Sequence, residues 1–537
     1  MTAIGDLVLD ALRARPDHVA FLHGGAGLTY REAERLVLGV ADTLAGAGLR
    51  PGDTVLQIRP NDPLQWLVNA ACYVAGHRSA ALSPGALRGA ALAERLDLVA
   101  PDAVLAEPGD PDLDAWSRAR PEVRVLTDRD LTATVTAAGE PGVAVRAPAP
   151  ASAVVRLAFT SGTTGPVKGV ELSGGALGTV ATVLRDTLPW PERPRVLCPE
   201  SVSGGFGNMV LPTLMLGGTF VVPERPGPEA LLEAAVRHRP TVLMAMPPAL
   251  RALLAHPGAA GHDWSSLALV VYSGASLTGE EIDRAHALFG EVLCGVFGQV
   301  EVPKTIAWTR PADHLDPRSR SSLGVPFPGT EVRVCGPDGG DLPAGQPGEL
   351  WVRGPTTARG YAFPPGTPFE NGWLRTGDVC RRDAHGRLHH VNRVQDVLRI
   401  GDAYVCPSDL EAVVSRHIGH PAAVVPTGPG GVAVLVEGVA PPDTGSRDAA
   451  SRETASLGTV SRDTTSLDTT SLDTTSLDTT SLDTASPGTA SWDTVEKAVR
   501  DALRDAPVVI DAVLPAERLP RDVMGRLDRA RLAEVAG

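Results

Sequence analysis

Short apolar runs alternate with amphipathic helical segments through the first half of the chain, and this alternation limits the fold more than any other feature. ALLEAAVRHRP (230–240) reads as a helix, TVLMAMP (241–247) as a buried strand and LALVVYSG (267–274) as another. Thr278 and Glu281 have the spacing of a capping box that opens a helix reaching about Phe289, and EVLCGVFG (291–298) is a strand again. Upstream, Thr29-Tyr30-Arg31-Glu32 is a second capping box. Leu36, Val40 and Leu44 follow it at helical period, and Gly46 and Gly48 end the segment. Strands separated by helices imply βαβ units and a mostly parallel sheet covered by helices. Such sheets bind ligands beyond the carboxyl ends of their strands, which here means Ser273-Gly274-Ala275 and Gly298-Gln299.

From about residue 320 the pattern changes. Gly and Pro punctuate TEVRVCG and GELWVRG, which read as antiparallel strands of a small β-rich unit. After VNRVQD (391–396) the last 140 or so residues carry their own strand, GVAVLVEGV (431–439), and helix, TVEKAVRDALRD (494–505). With 537 residues, two or more domains are expected. Residues 464–483 read TTSLD four times inside a Ser/Thr/Asp-rich tract at about 443–492. Four copies are too few to stack a solenoid core, so the tract is expected to be a disordered surface insertion without chemistry.

Hydrophobic residues make up 43% and charged residues 21%, as in ordinary soluble proteins. The formal net charge of −14 opposes non-specific binding to nucleic acid or anionic membrane. Six scattered cysteines show no metal-ligand spacing and read as reduced thiols. The N-terminal MTAIGDLVLDALRARP places Asp6 and Asp10 where a signal peptide needs basic and then apolar residues, so it reads as an amphipathic helix. No apolar run approaches the ~18 residues of a membrane span. A cytoplasmic enzyme acting on small molecules, with neither nucleic-acid nor membrane partner, is the expectation.

The richest chemistry lies in VVRLAFTSGTTGPVKGV (154–170), where an apolar strand runs into a loop of hydroxyls and glycines with one lysine. Glycines let backbone N–H groups wrap a polyphosphate, Ser161, Thr163 and Thr164 can donate to its oxygens, and Lys168 adds positive charge. This is not a Walker loop: Lys168 follows Val167, and Pro166 and Gly169 break any helix. Taken alone, the segment could also be a Gly/Thr turn with a solvated lysine.

TSGTTGPVKG resembles the signature of the adenylate-forming superfamily, which includes acyl-CoA synthetases, aryl-acid ligases, adenylation domains and luciferases. Further blocks follow in the family's order: LTYREAERLVLGVADTLAGAGLRPGDTV (28–55), GELWVRGPTTARGY (348–361), WLRTGD (373–378), VNRVQDVLRIGDAYVCPSDLE (391–411) and LPRDVMGRLDRARL (519–532). The resemblance implies an α/β fold with a large N-terminal domain (1–392) of mixed, mostly parallel sheets, helices and a small β-barrel-like subdomain. A small mobile α+β C-terminal domain (393–537) would turn about a hinge at Arg393 to Asp396. It further implies ATP, Mg²⁺ and either coenzyme A or a carrier protein's phosphopantetheine as the molecules bound.

Roles carry over by position. Thr160, Ser161, Gly162, Thr163, Thr164, Gly165 and Lys168 would hold the β- and γ-phosphates. Gly274, Ala275, Phe297, Gly298 and Gln299 would frame the nucleotide, with Phe297 against adenine where the family usually has Tyr. Glu301 matches the Mg²⁺ carboxylate, Asp378 the ribose ligand and Arg393 a residue near ribose and α-phosphate. Read without the family, Asp378 is a Gly-Asp turn and Arg393 a surface ion-pair partner. Lys168, Glu301 and Arg526 are the catalytic candidates.

Four positions depart from the pattern. Arg526 replaces the C-terminal catalytic lysine, and the two cations are not equivalent at a tight site. Val300 stands where a threonine hydroxyl is usual, Gly401-Asp402 where the thiolation loop has Gly-Gly, and Val202 or Ser203 where the substrate gate has histidine. One reading is drift within a working ligase. A second is a non-adenylating member that only transfers a supplied acyl-AMP, and a third is a degenerate nucleotide-binding relative. Phe206, Gly207, Ser273 and Val296 would line an acyl pocket with no obvious buried base or acid to grip an amino group, which favours an aryl or medium acyl carboxylic acid over an amino acid. The acceptor could be coenzyme A, the pantetheine arm of an acyl carrier protein, or another nucleophile such as an amine.

Overall fold

The computed structural model describes residues 2–131, 149–160, 167–400, 403–428, 430–439, 492–504, 506, 508–522 and 527–536. The Ser/Thr/Asp-rich tract up to residue 491 lies outside them. The chain divides into two compact units, Met1–Val332 with Trp351–Thr376, and Arg333–Leu350 with Gly377–Gly537. This division follows packing, whereas the boundary expected at residue 393 follows a hinge. The two therefore need not coincide.

The first unit contains two large sheets. In the nine-stranded sheet, Leu293–Phe297, Leu269–Ser273, Val242–Ala245, Arg195–Leu197, Thr219–Val222 and Val19–His23 lie side by side, all parallel, with short antiparallel strands at both edges. Its central strands are buried throughout, as both faces carry helices. The seven-stranded sheet runs Gly360–Phe363, Gly169–Ser173, Val154–Phe159, Arg78–Leu82, Thr54–Ile58, Ala103–Ala106 and Arg124–Leu126. Helices Ile4–Ala14, Pro63–Ala75 and Gly174–Thr187 join Val55 and Val155 of this sheet to Phe21 and Val196 of the other in one continuous core. The fully buried Tyr30 is satisfied within it, its hydroxyl donating to the Gly218 carbonyl at 2.6 Å.

Local signals in the sequence translate directly into elements. Thr29 caps helix Tyr30–Gly46 and Thr278 caps Gly279–Phe289. In each, the threonine hydroxyl accepts from the glutamate N–H while the glutamate carboxylate accepts from the threonine N–H at 2.8 Å. The helix expected over 230–240 spans Pro228–His238, because Pro240 disfavours helical geometry at Arg239, which turns left-handed (φ 43°). Pro247 opens helix Pro247–Ala255 instead of ending a strand, as suits a residue without an N–H at a first helical position.

In the second unit, Ala422–Gly428, Gly431–Glu437 and Val509–Ala516 form a three-stranded sheet packed by helices Pro407–Ile418 and Trp492–Ala502. Arg529 pairs with Glu411 at 2.5 Å, and the same Glu411 oxygen accepts from the Val424 N–H at 2.9 Å. The antiparallel strands Trp373–Arg382 and Leu388–Arg393 belong to a five-stranded sheet where the small β-rich unit is expected. All six cysteines are buried and free, and among the described residues no helix is long and apolar enough to cross a membrane.

Replacing Thr278 by alanine removes one half of a capping box and is expected to cost about 1 kcal/mol. Thermal unfolding of the Thr278→Ala protein should begin a few degrees lower, with its ligand-free circular dichroism unchanged at 20 °C.

Candidate active site

The two strands flanking the expected phosphate loop form a hairpin. Val154–Phe159 and Gly169–Ser173 pair antiparallel with Phe159 opposite Gly169, so Thr160 and Lys168 close the turn. The Thr160 N–H donates to the Lys168 carbonyl and the Lys168 N–H to Thr160 Oγ1, both at 3.1 Å. Ser161, Gly162, Thr163, Thr164 and Gly165 lie outside the described residues. The Lys168 ammonium stands 4.9 Å from the centre of the Tyr361 ring, a cation–π geometry. Tyr361 lies on the neighbouring strand, and its hydroxyl donates to Glu301 Oε1 at 2.8 Å. Burial and the adjacent Glu301 carboxylate push the Tyr361 hydroxyl well above its ordinary pKa, which keeps it a donor. One tyrosine thus touches both the loop lysine and the expected metal carboxylate. Tyr361 ends the block GELWVRGPTTARGY, but its residue type alone gave no reason to single it out.

Glu301 is buried, and among the described residues its second oxygen, Oε2, makes no hydrogen bond. A hard carboxylate oxygen of this kind fits a divalent cation. No group of three His, Cys, Asp or Glu side chains among the described residues could hold a metal, so phosphate oxygens would have to supply the other ligands.

The expected nucleotide frame sits at the ends of adjacent parallel strands, where Ser273 pairs with Val296. Ser273 is buried, Ala275 half-buried, and Gly274 takes φ +98°, which strongly favours glycine. Phe297 closes its strand, half-buried. A Cβ on Gly298 would lie 2.3 Å from the Lys304 nitrogen, so no side chain fits there. The Gln299 amide donates to the Thr376 carbonyl at 2.9 Å. Val300, in place of the usual threonine, packs its apolar side chain against the main core.

Phe206 and Gly207 lie in the short helix Gly205–Met209, and a Cβ on Gly207 would meet the Val202 carbonyl at 2.0 Å. At the gate position, Val202 is core, while the Ser203 carbonyl accepts from Arg156 and its Oγ from the Asn69 amide at 3.0 Å. The surroundings of Phe206 hold a buried charge that the sequence reading did not single out. Lys304 is 9% exposed, with a left-handed backbone (φ 62°) and its ammonium 3.9 Å from the Phe206 ring centre. Burial pushes its pKa down to about 8, against the opposing pull of Cys198 and Glu200. Burial also raises Glu200, whose Oε1 accepts from the Met246 N–H at 2.9 Å. A lone lysine inside the apolar run VPKTIAW was the available signal.

Asp378 and Arg393 belong to the second unit, directly opposite one another in an antiparallel ladder. Arg393 Nε lies 3.0 Å and His390 Nε2 3.3 Å from the buried Asp378 Oδ1. Gly377 before Asp378 is left-handed (φ 69°), but both lie within the strand Trp373–Arg382, so the Gly-Asp turn read from sequence is absent, while the ion pair of Arg393 is present. Gly401, Asp402 and Arg526 lie outside the described residues.

Tyr361→Phe leaves the Glu301 carboxylate short of a donor, a loss of about 1–3 kcal/mol. It is expected to lower the thermal midpoint and to slow ATP–pyrophosphate exchange by roughly tenfold, measured with radiolabelled pyrophosphate. Lys304 carries a pH signature. Below about pH 8 the folded state bears a buried ammonium. Between about 8 and its ordinary 10.5 the folded state releases that proton while the unfolded chain keeps it. The stability of the wild type relative to Lys304→Met should therefore rise with pH across this window, as urea unfolding at pH 7 and pH 9.5 would read.

The profile of the AMP-binding enzymes matches residues 9–362. A feruloyl-CoA synthase from an Amycolatopsis species is 32% identical over 443 residues, covering 79% of this chain and 85% of that protein. The anthranilate–CoA ligase of Pseudomonas aeruginosa is 30% identical over 444 residues, covering 78% and 82%. Among solved structures, the amide bond synthetase McbA from Marinactinospora thermotolerans superposes with a TM-score of 0.75 at 27% identity over 99% of both chains. Sequence and fold agree over most of the chain, which belongs to the AMP-binding enzymes and so to the adenylate-forming superfamily, as an AMP-forming ligase of the acyl-CoA synthetase type.

Proposed function

We propose that this protein activates an aryl or medium acyl carboxylic acid as its acyl-AMP and transfers the acyl group to coenzyme A. The observation that carries the reading is the shared contact of Lys168 and Glu301 with Tyr361, which supports a polyphosphate and its metal lying between the loop and the carboxylate. In the first half-reaction a carboxylate oxygen attacks the α-phosphorus of ATP, and the bond to pyrophosphate breaks. In the second a thiolate attacks the acyl carbon, and AMP leaves. Both steps build negative charge on oxygen, which the Lys168 ammonium would stabilise. Bound at Glu301, Mg²⁺ would neutralise phosphate charge. Asp378 and Arg393 are proposed to hold the ribose, and Arg526 to serve the first half-reaction in place of lysine.

Relatives that act on ferulate and anthranilate support an aryl acid. Coenzyme A is the acceptor that their names carry, with the pantetheine of a carrier protein as the alternative. The amide bond synthetase among the structural neighbours keeps an amine acceptor in view. A panel of aryl and acyl acids, with AMP and pyrophosphate followed with and without coenzyme A, tests the proposal. AMP formation that depends on acid and accelerates with coenzyme A is expected. Brisk ATP–pyrophosphate exchange by the wild type, improved little by Arg526→Lys, would exclude a non-adenylating transferase. Nucleotide binding without AMP from any acid would overturn the ligase reading.

A further inference from the structure

The chain contains three lysines, Lys168, Lys304 and Lys497, among 49 basic residues. Lys497 is exposed on helix Trp492–Ala502, so the two lysines whose surroundings bear on a site are Lys168 and Lys304. Lys168 is the phosphate-loop lysine. Lys304 is buried, and among the described residues its ammonium makes no hydrogen bond and no ion pair, although every buried charge needs a partner. The Phe206 ring face offers partial compensation. Glu200 is near enough for its charge to act on the ammonium, yet it is held by the Met246 N–H and forms no ion pair with Lys304.

The backbone around the lysine is shaped to admit it. Lys304 adopts a left-handed conformation, Gly298 leaves no room for a side chain beside the Lys304 backbone nitrogen, and a Cβ on Gly205 would stand 3.3–3.4 Å from the lysine Cε and Nζ. These neighbours differ from those of Lys168 and Glu301, which meet at Tyr361.

We propose that Lys304 forms a specificity subsite that receives a second oxygen acceptor, carboxylate or phenolic, carried by the acid besides its reacting carboxylate. The inference rests on the ligase reading and adds the substrate class. A hydrogen-bonding site of this kind disfavours analogues lacking the partner group, because its own polar group is then left unpaired.

The test uses the full chain with benzoate, 4-methylbenzoate, 4-hydroxybenzoate, benzene-1,4-dicarboxylate, hexanoate and hexanedioate, following AMP release. Acids with the second oxygen should exceed their plain counterparts by about tenfold or more in kcat/KM, mainly through KM. Lys304→Met should shrink that ratio to about twofold or less. Circular dichroism and thermal unfolding check that the variant is folded, and the wild-type ratio stands independently of any variant. Equal use of plain and doubly functional acids by the wild type would overturn the subsite. So would a Lys304→Met loss shared equally by all acids, which would mean that the ammonium grips the reacting carboxylate or only supports the fold. AMP formation from none of the acids would instead overturn the ligase reading on which the subsite rests.

Discussion

The hydrogen bond from Tyr361 to Glu301 ties together the two large sheets of the first unit where they bear on the chemistry. Tyr361 lies on the edge strand of one sheet, and Glu301 follows the last long parallel strand of the other. The backbone reinforces the tie, since the Ala358 N–H donates to the Glu301 carbonyl at 2.7 Å. A carboxylate buried this deeply is costly without partners, and a phenol held firmly protonated satisfies one of its oxygens while leaving the other available. The same ring faces the ammonium of the phosphate hairpin. Cation, ring and anion therefore stand in one line, which links the hairpin to the carboxylate.

The parts of this architecture legible in the sequence are those governed by local rules. Both threonine–glutamate caps, the parallel strand ends around Ser273 and Phe297, and the strand that runs into the loop at Thr160 follow from spacing and residue type, whereas the returning strand Gly169–Ser173 was not read. Lys304 and Tyr361 were harder because their significance is non-local. Lys304 gains meaning only when a helix about a hundred residues upstream lays Phe206 beneath its ammonium, and Tyr361 only when two sheets meet. The pairing of Asp378 with Arg393 lies between: each residue sits in a recognisable block, but their direct opposition depends on the register of an antiparallel ladder. Element ends shifted by a residue or two wherever proline intervened, at Pro240 and Pro247.

The near absence of lysine also bears on Arg526. With three lysines among 49 basic residues, arginine at position 526 is what the composition alone favours. Lys168, at the turn of its hairpin, and Lys304, buried over the Phe206 ring, are exceptions to that composition. A compact ammonium and a planar guanidinium are not interchangeable where the surroundings are tight.

The approach of Gly205 to the side chain of Lys304 has an evolutionary corollary. Substitutions at positions 205 and 304 share one small volume, so their effects will not add. Shortening the lysine would open space for a side chain at Gly205, whereas adding that side chain first would press on the lysine Cε and Nζ at 3.3–3.4 Å. The order in which the two positions change therefore matters, and Gly298, which abuts the Lys304 backbone, stays fixed whichever residue stands at 304.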